Sequence, residues 1–125
     1  MRIYRTEKDG IVIWKLSGVV GLDDARTLSR TLHKDTNGTG GCWILDFEQV
    51  EHVNYRAFKV LEDWFPSNAH VLISGLSDYI LDIFAIFRMT NTLRVFPDWR
   101  TAFRYLMAER GKILGSSPVS AIGQQ

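Results

Sequence analysis

The side chains able to bind metals or act as nucleophiles are scattered along the chain. The single cysteine, Cys42, and the three histidines, His33, His52 and His70, lie on different predicted elements. They lack the paired spacing that a zinc site requires. The sequence has no Gly-x-Ser-x-Gly elbow and no Ser-His-Asp or Cys-His set on a plausible scaffold. We therefore predict that the protein is not an enzyme and needs no cofactor or metal.

Two other features are compatible with ligand binding. The glycine-rich segment 36–41 leads from a predicted helix into a strand, whereas a phosphate-binding loop runs from strand into helix so that the helix N-terminus faces the anion. We therefore exclude a phosphate loop. Asp46 ends a predicted central strand at the carboxyl edge, where ligands gather in open α/β sheets. It is either a ligand-facing residue or an aspartate that caps a turn.

Composition indicates one soluble domain in a reducing, cytoplasmic setting. The chain has 125 residues, of which 46% are hydrophobic, and a formal net charge of +1. That charge gives no electrostatic footprint for nucleic acid or for an anionic membrane surface. One cysteine excludes an intrachain disulfide. The most apolar stretch, Tyr79 to Phe87, contains Asp82 and is far shorter than the roughly 20 residues of a membrane span.

Strand-like and helix-like segments alternate. Two strands flank the pair Asp9-Gly10, a strong hairpin signal. The order that follows is β-β-α-β-α-β-α-β-α, which predicts an α/β fold with a mostly parallel sheet, an antiparallel N-terminal hairpin and about four helices. Asn54 is a good N-cap for the second helix. A domain over residues 1–110 is expected, followed by a flexible tail of small and polar residues over 111–125.

Several short motifs, in this order, carry a resemblance to a known family. They are Leu16-Ser17-Gly18, Ile44-Leu45-Asp46-Phe47, Val50-Glu51-His52-Val53, Val71-Leu72-Ile73-Ser74-Gly75, Phe87-Arg88-Met89-Thr90-Asn91 and Val95-Phe96. Together they resemble the STAS domain, the family of sulphate-transporter cytoplasmic domains and bacterial anti-sigma-factor antagonists. The resemblance covers Ile11 to Leu106. It implies a bacterial signalling domain that regulates transcription by binding other proteins.

The chain departs from that family before the second helix. The antagonist branch typically has Asp-Ser-Ser-Gly there, and a partner kinase phosphorylates the second serine. Here the aligned residues are Asn54-Tyr55-Arg56-Ala57, and no serine or threonine occurs from Gly40 to Pro66. Arg56 occupies the degenerate phosphosite position, so we predict that no phosphoserine switch operates at this loop. Arg56 either extends into solvent, offset by Glu51, or contacts an acidic or phosphorylated group on a partner.

The third predicted helix is apolar on nearly all sides. We predict that one stripe of this helix faces the sheet, formed by Ile80, Ile83 and Phe87 with Ile86. Leu81, Phe84 and Ala85 would then form an outward apolar patch ending at Arg88. A helix that covers a sheet normally has a polar outer face, so the patch indicates a protein-binding surface. The alternative is that the tail or the first strand covers it.

We therefore predict a non-catalytic interaction domain. Its expected partner is a kinase-like protein, a scaffold protein or a second STAS protein, and self-association is a further option. The alternative is an accessory STAS subunit of a lipid or ion transport complex. Neither nucleic acid nor membrane insertion is expected. The predicted partner-binding residues are Asn54, Tyr55, Arg56, Lys59, Leu81, Phe84 and Arg88.

Overall fold

The computed structural model describes residues 1–36, 42–64, 71–86 and 94–115, which form an alternating α/β domain. The elements are β1 (Arg2–Lys8), β2 (Ile11–Val20), α1 (Leu22–Thr36), β3 (Cys42–Val53), α2 (Tyr55–Trp64), β4 (Val71–Ser74), α3 (Asp78–Ile86), β5 (Arg94–Phe96) and α4 (Trp99–Gly115). The predicted fold class is confirmed.

The five strands form one sheet in which strand order follows chain order, β1-β2-β3-β4-β5. β1 and β2 pair antiparallel, and the remaining neighbours pair in parallel. The predicted hairpin turn is confirmed. Asp9 and Gly10 both have positive φ, 51° and 80°. Positive φ at both central residues is required by the type I′ turn, the two-residue turn whose twist matches that of the flanking strands.

The two faces of the sheet are covered unequally. On one face, side chains of α1, α2 and α3 join alternate residues of the strands in the larger core, which includes Leu28, Phe47, Ala57 and Phe84. On the other face, α4 alone contributes Ala102 and Leu106 to a smaller core with Ile11, Ile13, Ile44 and Leu72. We call these the three-helix face and the α4 face.

The orientation predicted for α3 is correct for Ile80 and Ile83 and wrong for Phe84 and Ile86, and Phe87 lies outside the described residues. Ile80 and Phe84 point into the larger core, and Phe84 is only 1% exposed, whereas Ile86 is 74% exposed. Leu81 and Ile83 are half-buried. Positions 80 and 84 are one turn apart on a helix, so they share the face that packs on the sheet. Phe84 is therefore a core residue and is removed from the predicted partner-binding set.

Two other predictions fall near or outside the described residues. Helix α4 includes residues 111–115, where the sequence predicts the start of the tail, and residues 116–125 lie outside the described part. The division at residue 110 stays a prediction. Arg88, the glycine-rich segment 37–41 and His70 also lie outside the described residues. In the part of the chain that is described, no helix is both long and apolar enough to cross a membrane.

Candidate functional site

The N-terminus of α2 is built by local hydrogen bonds. The Asn54 side-chain oxygen accepts a hydrogen bond from the Arg56 N–H at 2.8 Å, and its backbone carbonyl accepts one from the Ala57 N–H at 2.9 Å. Asn54 is therefore the N-cap, as predicted. The Asn54 N–H in turn donates to the Val20 carbonyl at 2.9 Å. This last bond ties the start of α2 to the end of β2.

Arg56 at this helix start contacts its neighbour Tyr55. The Arg56 Nε donates to the Tyr55 hydroxyl at 3.2 Å, and the guanidinium carbon lies 5.7 Å from the centre of the Tyr55 ring. Both side chains are exposed, Tyr55 by 52%. No ion pair joins Arg56 to Glu51 or to any other described carboxylate. The predicted offset by Glu51 is therefore not formed, and a fixed positive charge stands at a helix end whose dipole disfavours it by roughly 0.3–1 kcal/mol.

A second aromatic contact lies beside this helix start. The Tyr79 hydroxyl and the His52 Nδ1 are 3.2 Å apart, and the two rings stack with centres 5.8 Å apart and planes inclined by 21°. Tyr79 is in the first turn of α3, where Ser77 caps the helix by accepting the Ile80 N–H at 3.3 Å. Tyr79 is 55% exposed, and His52 is exposed as well.

These contacts create one exposed surface at the carboxyl edge of the sheet. His52 pairs with the exposed Val19 in the β2–β3 ladder. We call the set the carboxyl-edge surface: Val19, His52, Tyr55, Arg56 and Tyr79. Exposed tyrosines beside an arginine are the composition typical of protein-binding hot spots.

The predicted site residues occupy different positions. Asn54, Tyr55 and Arg56 come together at the start of α2, and Lys59 is exposed one turn further along. Leu81 is half-buried on α3 and Phe84 is in the core. Val19 and Tyr79 were missed by the sequence-based prediction. β3 continues to Val53 and holds His52 on the sheet. An N-cap serine two residues before Tyr79 was the only local signal for that position.

Asp46 has a structural role. It lies within β3, is buried, and accepts a hydrogen bond from the Ser74 hydroxyl of β4 at 2.9 Å. Burial raises the pKa of Asp46 above its ordinary value, and hydrogen bonds from Ser74 and the Glu48 backbone act in the opposite direction. β3 does not end at Asp46 as predicted, but the Asp46 carboxylate accepts a hydrogen bond from the Glu48 backbone two residues on, where the pairing with β2 is irregular. Asp46 is only 3% exposed. Among the described residues, no group of three or more His, Cys, Asp or Glu is arranged to hold a metal ion.

Comparisons with solved structures identify the fold. An anti-sigma factor antagonist from Mycobacterium paratuberculosis superposes with a TM-score of 0.73 at 13% identity, over 83% of this chain and 92% of that one. A sulfate transporter family protein from Wolinella succinogenes gives 0.69 at 23% identity, over 83% and 92%. The murine anion transporter Slc26a9 gives 0.69 at 16% identity, over 82% of this chain and 18% of the transporter.

No protein-family model matches the chain, and no curated protein matches it by sequence. At these low identities the structural similarities establish the fold alone. The chain has the STAS fold that the resemblance in its sequence implied.

Proposed function

We propose that this STAS-fold domain is a non-catalytic regulatory module that binds a protein partner through the carboxyl-edge surface. The observation that carries the proposal is the exposure of Tyr55, Arg56 and Tyr79, which lie in the first turns of α2 and α3 at the carboxyl edge of the sheet. Tyrosine supplies a large contact area at low entropic cost, and arginine supplies directed hydrogen bonds. We place its action in the bacterial cytoplasm, with a kinase-like or scaffold protein as the partner.

Regulation in this proposal differs from a serine switch. Phosphorylation would add a charge of about −1.5 to −2 at the start of a helix, where it is favoured. Arg56 instead holds a permanent positive charge there and contacts Tyr55. The proposed role of Arg56 is to contact an acidic or phosphorylated group on the partner, so the negative charge comes from the partner and not from this chain.

A photo-crosslinking experiment tests the surface first. A photoreactive phenylalanine analogue replaces Tyr55 or Tyr79 in the full chain, and crosslinked proteins are identified by mass spectrometry. The matched control places the same analogue at Arg30, which is exposed on α1. We expect a crosslinked partner from positions 55 and 79 and none from position 30. Equal crosslinking from all three positions contradicts the proposal.

Affinity measurements with the captured partner then test Arg56. We expect Arg56→Ala to weaken binding by about tenfold, the loss typical of an interface arginine. The control Arg30→Ala removes the same charge from α1 and should leave affinity unchanged. Unchanged affinity for Arg56→Ala would rule out the proposed contact. A phosphoserine or phosphothreonine found within the chain after incubation with the kinase would point to a switch elsewhere.

A second candidate function is an accessory subunit of a lipid or ion transport complex. The observation in its favour is the similarity of the fold to a sulfate transporter family protein and to part of the anion transporter Slc26a9. The same crosslinking experiment separates the two candidates. A transporter subunit captured from positions 55 and 79 supports the second, and a kinase-like ATPase supports the first.

A further inference from the structure

The α4 face carries an exposed surface that the proposed function does not use. Strand β1 lies at the edge of the sheet, and helix α4 packs over β3, β4 and β5. The β1 side chains on this face therefore remain uncovered; Tyr4 is 56% exposed, and Lys8 is exposed. We call the region between β1 and α4 the cationic shelf: Tyr4, Lys8, Lys15, Trp99, Arg100 and Phe103.

The positive charges of the cationic shelf lie over aromatic rings. The Lys15 ammonium is 5.0 Å from the centre of the Trp99 ring, and the Arg100 guanidinium carbon is 4.9 Å from the same ring. The Lys8 ammonium lies 5.3 Å from the Phe103 ring. These distances are typical of cation–π contacts, which hold a cation in place without neutralising it.

Carboxylates near the shelf are already engaged. Asp46 faces Lys15 across the β2–β3 ladder but is buried and hydrogen-bonded to Ser74. Asp98 accepts hydrogen bonds from the Thr101 N–H at 2.7 Å and from its hydroxyl at 2.9 Å. No ion pair between described residues involves Lys8, Lys15 or Arg100. The shelf therefore presents three positive charges that form no direct salt bridge beside the exposed Tyr4 ring. Asp46 attracts Lys15 and Asp98 attracts Arg100 only at longer range.

We propose that the cationic shelf docks an acidic segment of a partner protein. Carboxylates of the segment would pair with Lys8, Lys15 and Arg100, while Tyr4 supplies an apolar and hydrogen-bonding contact. This proposal is independent of the carboxyl-edge surface, because the two surfaces share no residue. Two interaction surfaces would allow one domain to join two proteins.

The charge of the shelf and the limited access to its rings favour an acidic protein segment over two other occupants, which are single-stranded nucleic acid and residues 116–125 of the same chain. Bases of single-stranded nucleic acid need free ring faces for stacking, but Trp99 already has two cations against its ring. The chain as a whole is nearly neutral, with a formal charge of +1, so it lacks the excess positive charge that is typical of nucleic-acid-binding proteins. Residues 116–125 contain no aspartate or glutamate, so this segment of the same chain has no acidic side chain to complement the shelf.

A binding assay on the full chain tests the proposal. The probe is a short fluorescent peptide of glutamate with interspersed phenylalanine, compared with the same peptide carrying glutamine for glutamate. We expect the acidic probe to bind and the glutamine peptide to bind at least tenfold more weakly, with affinity falling as salt is added. Amide resonances of Lys15, Trp99 and Phe103 should shift on titration, and those of Tyr55 should not.

Paired variants separate the shelf from general charge. Lys8→Gln with Arg100→Gln removes two exposed charges from the shelf and should weaken probe binding by about tenfold. The control pair, Arg26→Gln with Arg30→Gln, removes two exposed charges from α1 and should change the affinity for the probe by less than twofold. Equal effects of the two pairs overturn the proposal. Tighter binding of a thymidine oligonucleotide than of the acidic probe overturns it in favour of nucleic acid. Displacement of the probe by self-association, seen in sedimentation, overturns it in favour of a second copy.

Discussion

The two faces of the sheet are stabilised by different means. On the three-helix face, apolar side chains from α1, α2 and α3 interlock with those of the strands, and large residues such as Phe47 and Phe84 are fully buried. On the α4 face, one helix covers a smaller apolar cluster, and cations lie over the aromatic rings at its border. The first face therefore provides most of the hydrophobic stabilisation, and the second leaves charge and aromatic surface exposed.

The largest expected effects come from truncating one core residue on each face. Phe84→Ala should lower the free energy of unfolding by about 3–5 kcal/mol, because it opens a cavity enclosed on all sides. Leu106→Ala on α4 should cost less, near the lower end of the roughly 2–5 kcal/mol range, because a single outer helix can settle into the space. Urea denaturation measures both.

Ile86→Ala is the control for this pair. It lies on α3 with Phe84 but is 74% exposed, so the change should stay within about 0.5 kcal/mol. Equal losses for Phe84→Ala and Leu106→Ala would contradict the inequality between the faces. A folded, stable Phe84→Ala that fails only in partner binding would restore the orientation predicted from the sequence.

A smaller loss of stability is expected at Gly75, which directly follows the end of β4. Gly75 has a φ of +72°, and a Cβ there would lie 2.7 Å from the Asp46 Oδ1 and 2.8 Å from the Glu48 nitrogen. Gly75→Ala should cost about 1–3 kcal/mol from backbone strain alone. Gly21→Ala is the matched control, since its Cβ would meet only the Asp24 Oδ2 at 3.4 Å. Thermal unfolding compares the two; a neutral Gly75→Ala would show that Asp46 and β3 yield easily.

The smallest effect concerns pH and two carboxylates on the α4 side of the sheet. Burial raises the pKa of Asp46, so the native state holds its proton more tightly than the unfolded state. Its contribution to stability must therefore fall as pH rises from 3.8 through the raised pKa. Hydrogen bonds from the Thr101 N–H and hydroxyl lower the pKa of Asp98, so its contribution rises with pH up to 3.8.

Denaturation at a series of pH values checks both signs. The free energy of unfolding of Asp46→Asn should increase relative to that of the unsubstituted protein as pH rises above 3.8. Asp98→Asn keeps a good N-cap. Its free energy of unfolding should nevertheless decrease relative to that of the unsubstituted protein as pH rises towards 3.8. Parallel pH curves for Asp46→Asn and the unsubstituted protein would mean that burial of this carboxylate has no energetic consequence.

Element order was predictable from the sequence because local signals agree with the final fold. The Asp9-Gly10 turn and the Asn54 cap are each determined by residues within one turn of the chain. The orientation of α3 was not predictable. Apolar residues surround most of that helix, so periodicity does not distinguish the stripe containing Phe84 from the one containing Ile86.

The carboxyl-edge surface was only partly predictable. Arg56 occupies the position that is regulated in the family and Tyr55 adjoins it, so both were identified from the resemblance. The contact between His52 and Tyr79 joins residues 27 positions apart, and it depends on β3 extending well beyond its apolar run to Val53. In the second half of β3, each of the buried residues Val50 and Val53 follows two exposed residues, so there is no continuous apolar signal. Its length follows from pairing with β2, which no local pattern encodes.

The strand order also has a consequence for how the chain folds. Every strand pairs with the one before it in sequence, so the pairings have short sequence separations for a sheet of this size, and short separations favour rapid folding. During synthesis, each new strand can add to an edge that already exists. Helix α4 comes last, and until it docks, Ile11, Ile13, Ile44 and Leu72 have no cover. Chains in which α4 has not yet docked therefore expose more apolar surface than the native fold, and such surface favours aggregation.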